Sequence, residues 1–357
     1  MCAFGGNTVR GRKETEEMIH DIGIDLGTSQ VLVYVKGKGI VIDEPAVVVV
    51  DKHSGKVLCA GREASRMLGR TPAGLVAVHP MRNGVIDYYD MTLHMLKYFI
   101  KKAIGNTFFK PRVIVCVPSG ITEVEERAVC EATLRAGAKS VHLIEEPLAA
   151  AIGAGLDVSK PVGNLVIDIG GGTTDIAVMS LGSVVVSESI NYAGNKLDEA
   201  IVNYIRRKHN MLIGDTTAEE LKKQIGTAVP FGESMACEVR GRCLIEGLPK
   251  KVTVTSREVM EAMYEPLTQI ADAASRVIEM TPPELVGDIS TSGIVLTGGG
   301  SKLRGMDKHI EKATGIKTHI PDKPETCVCI GTGRSLDNIS MLPQGVINLS
   351  RTKFENQ

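Results

Sequence analysis

The sequence predicts an α/β protein made by duplication, with two similar halves and a small insertion in each. Three observations predict this. A strand, an aspartate, a glycine turn with hydroxyls and a second strand occur twice, as IDLGTS at 24–29 and IDIGGGTTD at 167–175. After each copy the order is strands first, then alternating helix and strand. A third glycine turn, GGGS at 298–301, follows an apolar strand and leads into a helix.

The elements follow in order. Apolar runs at 22–25, 31–35, 40–42 and 46–50 read as strands, with Gly37 and Gly39 marking turns between antiparallel neighbours. A more polar stretch, 51–83, reads as an inserted subdomain with a short helix at 62–68. A helix is expected at about 91–104 and a buried strand at 113–117. Thr122 and Glu125 form a T-x-x-E capping box for the next helix, which Gly137 ends. A strand at 141–144 runs into Glu145-Glu146-Pro147 and an Ala-rich helix at 148–154, with Pro suited to its first turn. In the second half, strands cover 165–190, helices 194–209 and 216–226, strands 235–255, helices 256–280 and a strand 293–297.

Bulk composition narrows the function classes. The 357 residues are enough for about two domains of ordinary size. A formal net charge of -1 gives no footing for a nucleic-acid partner. Trp is absent and aromatics are 4%, so the core must be aliphatic. Eight cysteines are scattered and several sit inside apolar runs, which reads as reduced, buried thiols in a cytosolic protein. Cys327-Val328-Cys329, read as a strand, would point two thiols the same way, but no further His or Cys completes a metal set. No apolar run approaches the ~18–20 residues of a membrane span. Residues 1–20 read as a disordered leader, with Met18 as an alternative start.

The glycine turns carry the chemistry. Glycine lets backbone N–H groups approach phosphate without a Cβ in the way. Gly27, Thr28 and Ser29 supply one such turn, and Gly170, Gly171, Gly172, Thr173 and Thr174 the second. Gly298, Gly299, Gly300 and Ser301, just before a helix, suit the ribose-phosphate region. Asp25 and Asp168, at matching positions, would orient Mg2+ through its waters, since Mg2+ dehydrates reluctantly. A carboxylate at Glu145-Glu146 either polarises an attacking water or caps the helix; the residues alone leave both open.

Together these residues resemble the actin, sugar-kinase and heat-shock chaperone ATPase superfamily. Within it the chain looks like the MreB/Mbl family of bacterial actins. The likeness covers about 21–341 and is carried by DIGIDLGT (21–28), VKGKGI (35–40), GRTP (69–72), Pro111-Arg112, VPSG (117–120), IEEP (144–147), DIGGGTTD (168–175), TPPEL (281–285) and LTGGG (296–300). The phosphate motifs are shared by the superfamily; the others narrow it.

The resemblance implies an actin-like fold of two ribonuclease-H-like lobes with the nucleotide between them. Lobe I would span 21–160 with an insertion at about 51–84, and lobe II 161–325 with an insertion at about 203–264. Residues 326–343 would return to lobe I and 344–357 would form a tail. It implies ATP and Mg2+ as ligands, held by Asp25, Gly27, Thr28, Ser29, Gln30, Val31, the second turn, Glu219, Glu220, Leu221, Lys222 and the third turn. By resemblance Glu146 positions the hydrolytic water, Thr173 senses the γ-phosphate, and Asp168 joins them in catalysis. HPMRNGVIDY at 79–88 departs from the family pattern, which leaves ATP binding untouched and bears on filament or regulator contacts.

Phe108-Phe109 lies in a loop surrounded by Lys101, Lys102, Lys110 and Arg112, which suits an anionic membrane surface. MreB relatives carry a lipid-inserting hydrophobic pair at this place. The resemblance therefore implies ATP-dependent double filaments of this chain on the inner face of the cell membrane. These would guide elongation-phase peptidoglycan synthesis with membrane proteins of cell elongation and wall synthesis, and so set rod shape. Two alternatives share the fold. A small-molecule kinase needs a sugar pocket with a second polar cluster, and a chaperone-type ATPase needs a peptide-binding domain after the ATPase.

Overall fold

The computed structural model describes residues 21–106, 109–230, 232 and 234–337, with the backbone of a short strand at 346–347. The expected leader, Phe108 and most of the tail lie outside the described residues.

The first half opens with β1 (Ile22–Leu26), β2 (Gln30–Val35) and β3 (Gly39–Pro45). An excursion follows through β4 (Val48–Asp51), β5 (Val57–Ala60), α1 (Arg62–Ser65), β6 (Leu75–Val78), β7 (Met81–Arg82) and β8 (Val85–Ile86). The chain then runs through α2 (Tyr89–Ile104), β9 (Arg112–Val117), α3 (Glu123–Ala136), β10 (Ser140–Glu145) and α4 (Glu146–Ala154). The second half repeats the plan with β11 (Asn164–Ile169), β12 (Thr174–Ser180) and β13 (Ser183–Ile190). Its excursion holds α5 (Gly194–His209), β14 (Met211–Leu212), α6 (Asp215–Ile225), β15 (Ala236–Cys243) and β16 (Pro249–Thr255). It closes with α7 (Ser256–Met280), α8 (Pro283–Ser292), β17 (Ile294–Thr297), α9 (Met306–Thr314), β18 (Thr318–His319), α10 (Cys327–Ser335) and β19 (Val346–Ile347).

The two main sheets match over five strands, and β19 adds a sixth to the first. One has the order β19-β10-β9-β1-β2-β3 and the other β13-β12-β11-β17-β18. In each, a central strand pairs antiparallel with the strand after it and parallel with a later one: β1 with β2 and β9, β11 with β12 and β17. These central strands are buried on both faces, so they read as near-continuous apolar runs. The duplication seen in two short motifs therefore extends to the whole topology.

Helices α4 and α10 pack between the sheets, where Ile114, Ile144, Leu148, Val166, Met179 and Val328 share one buried cluster. A Cβ on Gly331 would stand 1.8 Å from the Ala149 carbonyl oxygen, and one on Gly153 1.8 Å from that of Cys327. The two helices thus cross in backbone contact that only glycine permits.

Several expectations are corrected. Cys327 and Cys329 lie on α10, not on a strand, so their side chains diverge around a helix. Residues 283–292 form a helix that the motif TPPEL masked: Pro283 sits in its first turn. Residues 256–280 form one long helix opened by a second capping box, in which the Glu258 N–H donates to Thr255 Oγ1 at 3.3 Å. The box at Thr122 and Glu125 is present as read.

Candidate functional site

The ends of β1 and β11 bring the first two glycine turns face to face. A Cβ on Gly171 would stand 2.1 Å from Ser29 Oγ, and one on Gly172 2.3 Å from Thr28 Oγ1. Hydrogen bonds fix this approach. The Gly84 N–H donates to Thr28 Oγ1 (2.8 Å), and Ser29 Oγ donates to Asn195 Oδ1 (3.0 Å) across the cleft. The start of α5 clamps the second turn, with Gly194 N–H donating to Gly170 O (3.1 Å) and Asn195 N–H to Gly171 O (2.8 Å). The third turn closes against the end of β11: Gly298 has φ 79°, and a Cβ there would meet Ile169 O at 2.3 Å.

Between the three turns lies a cavity of about 660 Å3. Of the residues singled out in the sequence it is lined by Asp25, Gly27, Thr28, Ser29, Gln30, Glu146, Asp168, Gly170, Gly171, Gly172, Thr173, Glu219, Lys222, Gly298, Gly299 and Gly300. Five others stand off its wall. Val31 and Leu221 are fully buried core residues. Thr174 turns away to donate to Tyr192 O (2.6 Å), Ser301 Oγ donates back to Gly298 O (2.7 Å), and Glu220 faces solvent. Val31 and Leu221 face away because neighbours alternate between faces on a strand and stand about 100° apart on a helix.

Geometry separates the two adjacent glutamates. Glu145 Oε2 accepts from Ser119 Oγ at 3.0 Å, outside the cavity, while Glu146 begins α4 and lines it. Glu146 is buried together with Asp168 and Asp175. Burial, with repulsion from Asp175, Asp25 and Asp168, pushes the Glu146 carboxyl well above the usual range. Burial likewise raises Asp168 to about 7, against the opposing Thr297 hydrogen bond, and Asp25 to about 6, against that of Cys116. The nearby Lys222 is already engaged by Asp198 Oδ2 (2.8 Å) and Gly194 O (2.9 Å). The carboxylates of Asp25, Glu146 and Asp168 thus line one cavity together with the three glycine turns.

Sequence reading missed several wall residues. Asp43, Asn195, Asp198 and Glu325 line the cavity without any motif around them, and Lys302 and Arg304 line it just after the third turn. Asp175 and Thr297 stand inside motifs already quoted, as the last residue of DIGGGTTD and the one before GGG.

The family model MreB/Mbl protein matches residues 19–344. The cell shape-determining protein Mbl of Bacillus subtilis (strain 168) is 50% identical over 325 residues, 91% of this chain and 98% of that protein. The cell shape-determining protein MreB of Escherichia coli (strain K12) is 49% identical over 328 residues, 90% of this chain and 94% of its own. Among solved structures, MreB 5 of Spiroplasma citri bound to AMPPNP superposes with a TM-score of 0.86 at 37% identity, over 90% of this chain and 97% of that one. The MamK double helical filament superposes at 0.75 with 21% identity, over 88% and 98%, a likeness of fold.

Proposed function

The chain belongs to the MreB/Mbl family of cell shape-determining, actin-like cytoskeletal proteins, and on that premise we propose that it binds and hydrolyses ATP to drive filament assembly. The observation that carries this is the meeting of two duplicated glycine turns over buried carboxylates, one turn from each lobe. Glycine turns suit phosphate oxygens because the backbone can approach them without a Cβ in the way, and Thr173 lines the same cavity. The lobes proposed are 21–160 and 161–325, with 326–343 returning to the first.

The residues fit a divalent cation held through water. Among the described residues no three His, Cys, Asp or Glu side chains form a direct metal cage. Asp25 and Asp168 instead face one cavity from matching strand ends, a carboxylate pair that suits an octahedral Mg2+ keeping its waters. Such an ion would neutralise charge on the transferred phosphoryl group. Glu146, at the start of α4 and aimed into the cavity, is proposed to hold the attacking water.

The output proposed is a homopolymer of double filaments on the inner membrane face, guiding elongation-phase peptidoglycan synthesis with wall-synthesis membrane proteins. Among the described residues no helix is long and apolar enough to cross a membrane. Phe109 is 45% exposed in its loop, next to exposed Lys110. Electron microscopy with ATP on anionic lipid tests the whole reading: paired filaments that need ATP are expected, and a monomer in every condition would refute it.

A further inference from the structure

Each of the two cleft aspartates is held by one side chain from the neighbouring parallel strand, and the two holders occupy the same place in the duplicated sheets. On β17, Thr297 lies opposite Asp168 in the parallel register with β11. On β9, Cys116 lies one step beyond the pair Ile24 and Val115, and so opposite Asp25. Thr297 Oγ1 donates to Asp168 Oδ1 at 2.6 Å, and Cys116 Sγ donates to Asp25 Oδ1 at 3.4 Å. Thr297 is fully buried and Cys116 nearly so.

We infer that Thr297 and Cys116 are positioning residues for Mg2+, and that they are deliberately unequal: Thr297 presets Asp168, while Cys116 leaves Asp25 free to adjust. A hydroxyl on a carboxylate makes a short, strong, directional bond, whereas a thiol is a weak donor with a long reach. Asp168 is also the more enclosed carboxylate, and Asp25 is partly exposed on the cavity wall. When the lobes shift around a nucleotide, one carboxylate keeps its aim and the other follows. This deepens the Mg2+-nucleotide reading above and presupposes it.

The test is the ratio of AMPPNP affinity with Mg2+ to that with EDTA, measured by equilibrium binding on the full chain. Loss of an outer partner of a metal-orienting group costs 10–100-fold in metal affinity, so Thr297→Val should lower the ratio by about 10-fold. Thr297→Ser should return it to near the wild-type value, and Cys116→Val should lower it by less than about 3-fold, since a weak donor is lost. Thr297→Cys gives lobe II the holder of lobe I and keeps the test alive should Thr297→Val not fold; its ratio should fall between those of wild type and Thr297→Val. A ratio unchanged in Thr297→Val or Thr297→Cys would overturn the assignment. So would equal losses at 116 and 297, or a fall in affinity that is the same with and without Mg2+, the mark of a merely structural role. A wild-type protein that binds AMPPNP but ignores Mg2+ would remove the metal reading itself, and one that does not bind AMPPNP would remove the nucleotide reading.

Discussion

Thr28 and Gly172 meet across the cleft so closely that a single added carbon on Gly172 would lie 2.3 Å from the threonine hydroxyl and 3.0 Å from Asn83 Cα. The hydroxyl cannot simply swing aside, because it accepts the Gly84 N–H. Gly172→Ala should therefore push the lobes apart at the proposed phosphate site. Overpacking of this kind costs roughly 1–3 kcal/mol, so ATP affinity should fall by about 10-fold or more. Fluorescent-nucleotide titration checks this, with circular dichroism to show that the fold persists.

Glu146 offers a sharper test of chemistry. Its side chain lines the cavity, while Glu145 is tied to Ser119 outside it. Glu146→Ala should keep ATP affinity within about 3-fold of wild type and slow phosphate release by about 100-fold or more, the usual weight of a general base. Glu145→Ala should slow it far less. Single-turnover phosphate release on both variants would separate the roles, and equal rates would remove the assignment.

The site was legible in the sequence wherever chemistry is written in consecutive residues. The three turns and Glu146 could be found because a strand delivering Asp into a Gly/Thr turn is a local pattern. Asp43, Asp198 and Glu325 could not, since they reach the cavity only through the folding of elements distant from the three turns. The interval after Thr297 shows the same limit. Residues 327–335 carry two Cys, two Gly, one Thr and one Ser, a composition that fits strand or helix, and tertiary contact with α4 decides for helix. That contact also explains the glycines. Gly331→Ala would drive a methyl into the Ala149 carbonyl and should destabilise the protein by about 3 kcal/mol or more, as read by urea denaturation.

The carboxylate cluster predicts an inverted pH response for the ligand-free protein. Asp168 and Asp25 have folded-state pKa values raised to about 7 and about 6, so the folded chain binds more protons than the unfolded one across that range. The stability these two groups contribute should then fall as pH rises from about 4 through about 7 and level off only about a unit above that. Glu258 behaves oppositely, but with its carboxyl lowered to about 2 its contribution is lost only at more acid pH. Asp168→Asn should raise the ligand-free melting temperature at pH 8 by roughly 3–6 °C and have little effect at pH 4. Calorimetry at both values decides it, and a loss of stability at pH 8 would contradict the electrostatic account.

The membrane loop can be dissected by the same attention to partners. Of the four basic residues around the phenylalanine pair, Lys102 is bound to Glu44 and Arg112 to Asp21. Those two charges are compensated within the protein, whereas Lys110 is exposed next to Phe109 and Lys101 is exposed on the last turn of α2. Each basic residue near an anionic surface contributes about 1 kcal/mol. Lys101→Ala/Lys110→Ala should thus weaken co-sedimentation with anionic liposomes by roughly 10-fold or more. Lys102→Ala should change it much less, because Glu44 already offsets that charge. Phe109→Ser should weaken binding on neutral and anionic vesicles alike, since it removes apolar insertion rather than charge. Binding that survives both the double lysine variant and Phe109→Ser would place the membrane contact elsewhere on the molecule.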